Sequence, residues 1–530
     1  MAGERGVILG HAFQRGDGAT CISGTTDTWL AENHEHLLKR LWGAYIAVII
    51  NDRGMQVVRD PSGLLPCYYV QAHGVFYFAP DAALLAEQGV LRPQIDWSQL
   101  ARALYASDLP EERTALDGVR HLLPGMVIDI DRTAPVARLA WTPWDHAGSK
   151  DITPSELREK VLKCVTRWQE ACPSMMVAVS GGLDSSIVAA CLRDRASCRA
   201  LTISADDAHG DESGFARALC HDLDMPLTEA RYDLAQVDID RSAFAHLPRP
   251  GGRAQLLASD AAVSAAATHH GVDACLTGLG GDNVFYFTTS VRPLVDRYRV
   301  HGLRPALLDT MTDISKLAGI NFWATLRAAF QFPRAGDRQY RWRPDTRFLN
   351  SALVNQLARE PLDHPWLSEP PGALPGKAAH IAQLVRAQSY VDAHDRRLPF
   401  ALIHPLLSQP IVEAALAIPS WEACEGGIDR SQARRAFRHD LPRSVLDRRQ
   451  KGGPDGFAFQ ILRANLDGIR ERLMDGTLAS QQIIDRDAIH SALREENLAR
   501  GEDYVRILLL LDTEAWVRGW LAQDTVPIAA

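Results

Sequence analysis

The sequence predicts two unlike halves: a sheet-rich antiparallel domain over residues 1–148, then an α/β domain over 149–530 built on a parallel sheet with a large helical extension. Three observations predict this. Up to about residue 148, short apolar runs alternate with turn signals. From there to about residue 290, strand-like and helix-like runs alternate in βαβ order. Beyond residue 290 the chain is rich in Leu, Ala and Arg at helical spacing, with few strand signals. A length of 530 residues with 46% hydrophobic content supplies apolar surface for sizeable cores.

In chain order, "GVILGHAF", "AYIAVIINDRG", "MQVVRDPSG", "CYYVQAHG", "VFYFAPD" and "GMVIDIDR" read as strands joined by hairpins. Asp60-Pro61-Ser62-Gly63 has turn chemistry, with Pro setting one φ and Gly free to take the opposite sign. Periodicity lapses in "WTPWDHAGSKDITPSE", residues 141–156, which marks the domain boundary, and Ser155 with Glu156 and Glu159 opens a helix. The strand "MMVAV" precedes the helix "SSIVAACLRDR", and "RALTIS" precedes "DESGFARALCHDL". "PLTEARYD" follows, then the helix "AAVSAAATHHG" and the strand "DACLTG". His269 and His270 close a helical pattern, where the dipole favours them, and have no metal-ligand partner spacing. An open parallel sheet of this kind places its ligand at the carboxyl ends of the strands.

Composition narrows the function. Lys and Arg number 57 against 65 Asp and Glu, a net charge of −8, which gives no field favouring nucleic acid or an anionic membrane. A basic run from Arg443 to Lys451 is a local anion site at most. The cysteines, at 21, 67, 164, 172, 191, 198, 220, 275 and 424, are odd in number and form no CxxC pair, so a reducing cytoplasm is expected. The N-terminus lacks the pattern of a secretory signal, and no run approaches about 18 uninterrupted apolar residues. A soluble, cytoplasmic protein is the expectation.

The stretch "VAVSGGLDSSIVAA", residues 177–190, delivers a loop to a helix N-terminus, with Ile187, Val188, Cys191 and Leu192 on one face. Backbone N–H groups there lack intrahelical partners and the dipole adds partial positive charge. Gly181 and Gly182 let an anion approach the backbone, and Ser180, Ser185 and Ser186 can add hydroxyl donors. Asp184 would repel a bare anion but suits a Mg²⁺ bridging phosphates, which points to a nucleoside triphosphate. No GxxxxGK[ST] surrounds the loop, so it is not a Walker A. A second loop, "DACLTGLGGDNVF", carries Gly278, Gly280, Gly281 and Asp282 at the end of another strand. If both strands end on one edge, Asp184 and Asp282 can share Mg²⁺ over the leaving pyrophosphate.

The first loop resembles the pyrophosphate-binding SGGxDSS loop of adenine-nucleotide α-hydrolase-like ligases, which cleave ATP between the α and β phosphates. With the second loop added, the chain resembles the asparagine synthetase class nearly end to end. "LWGAYIAVIINDRGMQVVRDPSGLLPCYYV" and "HLLPGMVIDI" are similar to its glutaminase half. "DESGFARALCHDLDMPL", "GVDACLTGLGGD" and "RRLPFALIHPLLSQPIVEAALAIP" follow in the family's order. The resemblance implies an Ntn-hydrolase-like antiparallel β-sandwich flanked by helices in front. Behind it comes an adenine-nucleotide α-hydrolase-like parallel sheet, with ATP and Mg²⁺ as cofactors and adenine against Leu201 to Ser204.

Departures from the family narrow the expectation. Ala2 follows Met1 where the glutaminase has its nucleophilic cysteine, and Cys21 cannot supply an N-terminal amine beside its sulfur, so glutamine hydrolysis is not expected. Leu279 stands where asparagine synthetases carry Glu and β-lactam synthetases carry Tyr. "GLGGDNVF", "HPLLSQPIVEAALAIPSWEACEGGIDRSQARRAF" and "RRQKGG" are most similar to the lasso-peptide macrolactam cyclases. That branch implies adenylation of an Asp or Glu side chain in a leader-freed core peptide, then closure by the peptide's N-terminal amine. A leader peptidase and a leader-recognition protein are its implied partners.

Lys451, in "DRRQKGGPDG", looks like the lysine of related ring-forming synthetases that contacts phosphate and the developing oxyanion, and with Asp184 and Asp282 it completes the expected catalytic set. Asp206, Asp207, Asp211 and Glu212 read as a solvated helix start or a metal or ribose contact, and Asp395 with Arg397 as a structural pair. Arg430 or Arg434 reads as a peptide-carboxylate ligand or as part of a helix capped by Asp429. The alternatives are an ammonia-dependent asparagine synthetase, a β-lactam-type synthetase and a non-catalytic nucleotide-binding regulator.

Overall fold

The computed structural model describes residues 6–16, 21–24, 34–51, 54–130, 135–148, 152–193, 198–205, 212–332, 338–449, 455–494 and 503–524. In the first half the strands are β1 (Gly6–Gln14), β2 (Cys21–Gly24), β3 (Leu41–Asn51), β4 (Gly54–Arg59), β5 (Tyr68–Ala72), β6 (Val75–Ala79), β7 (Arg120–His121), β8 (Met126–Ile130) and β9 (Pro135–Leu139). They form a six-stranded sheet, ordered β2-β1-β3-β4-β8-β9, and a three-stranded sheet, β6-β5-β7. Every pairing is antiparallel.

Alternation along β3 explains the layering. Tyr45, Ala47 and Ile49 enter one core together with Val161, Val165 and Trp168 of the helix Pro154–Ala171. Ile46 points the other way and meets Tyr69, Leu122 and Ile128 between the two sheets. The large sheet is therefore covered on both faces. The helix Pro154–Ala171 is capped two residues ahead of the expected Ser155: Thr153 Oγ1 accepts from Glu156 N at 3.2 Å while Glu156 Oε2 accepts from Thr153 N at 2.8 Å.

The second half contains β10 (Met175–Ala178), β11 (Arg199–Ser204), β12 (Leu227–Arg231), β13 (Ala274–Leu276) and β14 (Ala401–Ile403), all parallel, in the order β12-β11-β10-β13-β14. β14 comes from a region read as helical, because three residues inside "RRLPFALIHP" carry too little pattern to register as a strand. The order matters for function: β10 and β13 are neighbours, so the two glycine loops leave the sheet side by side. Apart from β14, the regular elements of the described chain beyond β13 are helices. The first half thus has the Ntn-hydrolase-like arrangement and the second the adenine-nucleotide α-hydrolase-like one. Among the described residues no helix is long and apolar enough to cross a membrane.

The turn after β4 holds the halves together. Asp60 is fully buried and accepts from Tyr45 N at 3.1 Å, from Ser62 N at 2.8 Å and from the Ser62 hydroxyl. Gln388, on the helix Pro375–Val391 of the second half, donates to Ser62 O at 2.9 Å. Burial pushes the Asp60 carboxyl up to about 6, although the Ser62 hydrogen bonds and Arg59 pull it down. The folded group therefore keeps its proton up to about pH 6, whereas the unfolded group releases it near pH 4. Its contribution to stability is full below about pH 4 and is lost as pH rises through 6. Asp60→Asn removes that titration, so its melting temperature relative to the parent should climb between pH 4 and pH 7; parallel melting profiles across that range would contradict this.

Candidate functional site

The first loop is shaped by what it packs against. Val179 N donates to Leu201 O at 2.8 Å, which carries the sheet register one residue past β10. The chain then turns at Gly181, whose φ is +65° and where a Cβ would stand 2.3 Å from Phe215 Cβ, so only glycine fits. The helix Leu183–Ala190 begins at once, with Gly182 as its N-cap. Ser185 Oγ accepts from Ser180 N at 3.2 Å, and Ser180 Oγ accepts from Gly182 N at 3.4 Å. Ser186 differs from its expected role. It is fully buried and donates to Gly182 O at 2.7 Å, bracing the loop from beneath.

The second loop lies directly on the first. Thr277 N donates to Ile403 O at 3.0 Å, and Thr277 Oγ1 accepts from Leu279 N at 3.1 Å while bonding His404 Nδ1 at 2.8 Å. His404 is buried, which pushes its pKa down to about 3 and keeps the ring neutral. A Cβ on Gly278 would lie 2.4 Å from Ser185 N, and one on Gly281 would lie 2.4 Å from Asp184 Cγ. Side chains at either position would force the loops apart. Gly280 takes φ +85° to start the short helix Gly281–Val284. His380 Nε2 donates to Val284 O at 2.9 Å, and Asn283 Nδ2 donates to Gln383 O at 2.8 Å, which seats that helix on Pro375–Val391.

Asp184 and Asp282 meet on a single atom. Arg430 Nη1 donates to Asp184 Oδ2 at 2.7 Å and to Asp282 Oδ1, while its Nε donates to Asp429 Oδ1 at 2.7 Å. Arg434 Nη2 donates to both oxygens of Asp429 at 3.0 Å, its Nε to Asp429 O at 2.9 Å and its Nη1 to Leu446 O at 2.6 Å. Arg434 is therefore a buried brace and not a ligand for a peptide carboxylate. Burial opposes the charge on Arg430, but Asp184, Asp282 and Asp429 outweigh it and hold the guanidinium above its ordinary range. Arg430 thus ion-pairs with three carboxylates, Asp184, Asp282 and Asp429, and Arg434 ion-pairs with Asp429.

That donor set fits Mg²⁺, which takes one or two carboxylates and completes its shell with phosphate and water oxygens. Among the described residues no group of three or more His, Cys, Asp or Glu could hold a metal unaided. Asp184 and Asp282 are the residues that would hold it, and the glycine contacts hold their loops at that distance.

Arg448 adds a third guanidinium. Its Nη1 donates to Ser180 O at 3.3 Å, its Nη2 to Glu212, and the guanidinium lies 4.1 Å from the Phe215 ring centroid. Glu212 thus serves an ion pair and not a metal. The start of the basic loop is docked against the first glycine loop by this contact.

Other expected residues are placed apart. Leu201 lies three residues before the end of β11, with its side chain buried and its carbonyl occupied by Val179 N, so its carbonyl is not available to read a base. Ser204 ends that strand, half-buried, with its carbonyl accepting from Tyr232 N at 3.1 Å. Asp395 and Arg397 form a pair at 2.9 Å. His270 Nε2 bonds Thr228 Oγ1 at 2.9 Å. Lys451, Asp206, Asp207 and Asp211 lie outside the described residues. Sequence reasoning missed that Arg430 joins the two loops and that Arg448 caps the first; the Arg density of "GGIDRSQARRAF" was the available signal for Arg430.

Comparison with known families gives two matches: a model described as asparagine synthase covers residues 156–518, and one described as a glutamine amidotransferase domain covers residues 25–141. No curated protein matches the chain.

Replacing Arg430 with Met leaves Asp184 buried without its guanidinium, a loss of about 3–5 kcal/mol for a buried pair. In EDTA the Arg430→Met melting temperature should fall, and millimolar Mg²⁺ should raise it more than it raises the parent's. Equal Mg²⁺ responses in the two proteins would contradict the shared site.

Proposed function

The chain belongs to the asparagine synthase family, and from that premise we propose that it closes the macrolactam ring of a lasso peptide. As a member of that family it is an ATP-dependent ligase that forms amide bonds. The finer reading is that an Asp or Glu side chain of a leader-freed core peptide is adenylated and then joined to the peptide's own N-terminal amine. A carboxylate oxygen attacks the α-phosphorus, the bond to the bridging oxygen breaks and pyrophosphate leaves. The amine nitrogen then attacks the acyl carbon, the carbon–oxygen bond to phosphate breaks and AMP leaves, with the ammonium proton passing to solvent.

The observation that carries the reading is the meeting of Asp184 and Asp282 on Arg430 Nη1, beside a glycine loop that opens a helix. Mg²⁺ held there would neutralise charge on the departing pyrophosphate. Ser180, Ser185 and the amides at the start of Leu183–Ala190 face the same anion, and Arg430 keeps the two carboxylates in register before the nucleotide arrives. Lys451, three residues after Arg448 in the sequence, is given the contact with phosphate and the developing oxyanion that the family resemblance implies. Leu279 separates this reading from its relatives. It is an exposed apolar side chain on the second loop, with no carboxylate to hold ammonia and no phenol to relay a proton. The substrate is then a peptide made in the cytoplasm, with a leader peptidase and a leader-recognition protein acting before ring closure.

A second reading, an ammonia-dependent asparagine synthetase, is favoured by the description of the matched family model. The two are separated by incubating the full chain with Mg²⁺ and ATP. One set of samples receives synthetic peptides bearing N-terminal Gly and an acidic residue several positions on, another free aspartate with ammonia. The proposal expects AMP, pyrophosphate and a peptide lighter by one water. Asp184→Ala or Lys451→Ala should lower product at least about 10²-fold, the cost of removing one preorganised charge-stabilising group. ADP as product would overturn the ligase mechanism, and AMP from aspartate and ammonia alone would favour the second reading.

A further inference from the structure

An open groove of about 630 Å³ begins at Asp282 and runs along one face of the helix Pro375–Val391. Ala379, Gln383 and Arg386 recur on its floor at a spacing of one helix face, from which the floor is about 10 Å long. Arg292 and Arg343 also line it, with Phe287 and Tyr340 supplying apolar wall.

The polar groups in this groove are incompletely matched. Arg292 Nη1 donates to Ser290 Oγ at 3.2 Å and its guanidinium lies 5.7 Å from the Tyr340 centroid, yet its Nε is buried without an acceptor. Gln383 Nε2 donates to Phe287 O at 2.8 Å, while its Oε1 is buried without a donor. Arg343 is exposed. Arg386 stacks on Trp342 at 5.1 Å and lies 3.7 Å from Asp108. Three guanidiniums therefore line a groove whose only acidic lining residue, among those described, is Asp282 at its mouth. Arg430, over Phe287 at 5.5 Å, adds a further cation at that mouth.

We propose that this groove binds an extended peptide segment of the acyl substrate and holds a second carboxylate of that peptide through Arg292 and Arg343. The inference rests on the ligase reading above and names the substrate feature it selects. A planar guanidinium matches a carboxylate in bidentate fashion, and the aromatic walls and the half-matched amide of Gln383 suit peptide backbone. With the activated carboxyl near Asp282, about 10 Å of floor corresponds to about three extended residues at about 3.3 Å each. The second carboxylate therefore belongs within a few residues of the one that is activated. The volume falls in the range of about 300–1,000 Å³ that suits drug-sized ligands.

The test uses the full chain with Mg²⁺ and a non-hydrolysable ATP analogue, and fluorescein-labelled, C-terminally amidated octapeptides with one fixed Asp. A Glu is placed two, three, four or five residues from that Asp and compared with Gln at the same position by fluorescence anisotropy. At one separation in this series the Glu peptide should bind about tenfold tighter or more than its Gln counterpart, as a hydrogen bond to a charged group gives. That ratio should collapse towards one in Arg343→Ala and in Arg292→Gln. Arg343 is exposed, so its variant should fold, which a melting curve checks. A ratio below about two at every position, or one unchanged in both variants, overturns the groove. AMP formation with ATP, read on the same peptides, separates the two claims. AMP from Glu and Gln peptides at equal KM keeps the ligase and overturns the groove; charge-dependent binding without AMP keeps the groove and overturns the ligase.

Discussion

Two carboxylates at the edge of one sheet repel each other, and the active region of this protein is organised around the cation that makes their proximity tolerable. Asp184 and Asp282 accept hydrogen bonds from the same nitrogen of Arg430, so their oxygens stand about 5 Å apart at most. At an effective dielectric of about 20 the repulsion between unit charges at that separation is on the order of 3 kcal/mol. Arg430 offsets it, and is itself oriented by Asp429, which Arg434 clamps. A divalent cation held by Asp184 and Asp282 would offset the same repulsion when a polyphosphate binds.

The rest of the architecture serves that contact. Strand order makes β10 and β13 neighbours, glycine at 278 and 281 lets their loops touch, and β14 supplies His404, which braces Thr277 at the root of the second loop. The helix Pro375–Val391 then links the site to the first half. It seats the helix Gly281–Val284 through His380 and Gln383, and farther along it holds the Asp60 turn through Gln388. Asp392, just past its end, accepts from Tyr68 and from Arg249. Tyr68 stacks on His121 at 4.6 Å, and Arg59 Nη1 donates to that ring at 2.7 Å. The first half is thus joined to the same helix that carries the groove floor and seats the second glycine loop.

Much of this was legible in the residues. The strands β1, β3, β4, β5, β6 and β8 lie in the apolar runs that predict them, because period-two burial writes itself into composition. β7 and β14 are too short to carry a pattern, and β2 is only four residues long. The capping residue was misplaced by two positions, although Thr153 has Glu156 three residues on and Pro154 next to it, the capping-box signal that Ser155, followed at that spacing by Arg158, lacks. At the site, the glycines and both aspartates stood out because a loop between strand and helix needs them. Ser186 looked equivalent to Ser185, and both hydroxyls bond Gly182 O, yet Ser186 is fully buried while Ser185 Oγ also accepts from Ser180 N. Arg430 is 246 residues from Asp184, and no local rule could pair them.

The central claim is that Asp184 and Asp282 hold one divalent ion over a nucleotide seated on residues 180–186. The most direct measurement is a crystal structure of the full chain with Mn²⁺ and α,β-methylene ATP, read by anomalous scattering. The account predicts a Mn²⁺ peak bound by both carboxylates and by phosphate oxygens, with those phosphates against the amides of the Gly181–Gly182 turn. A Mn²⁺ peak touching neither aspartate, or a triphosphate bound away from that turn, would contradict it.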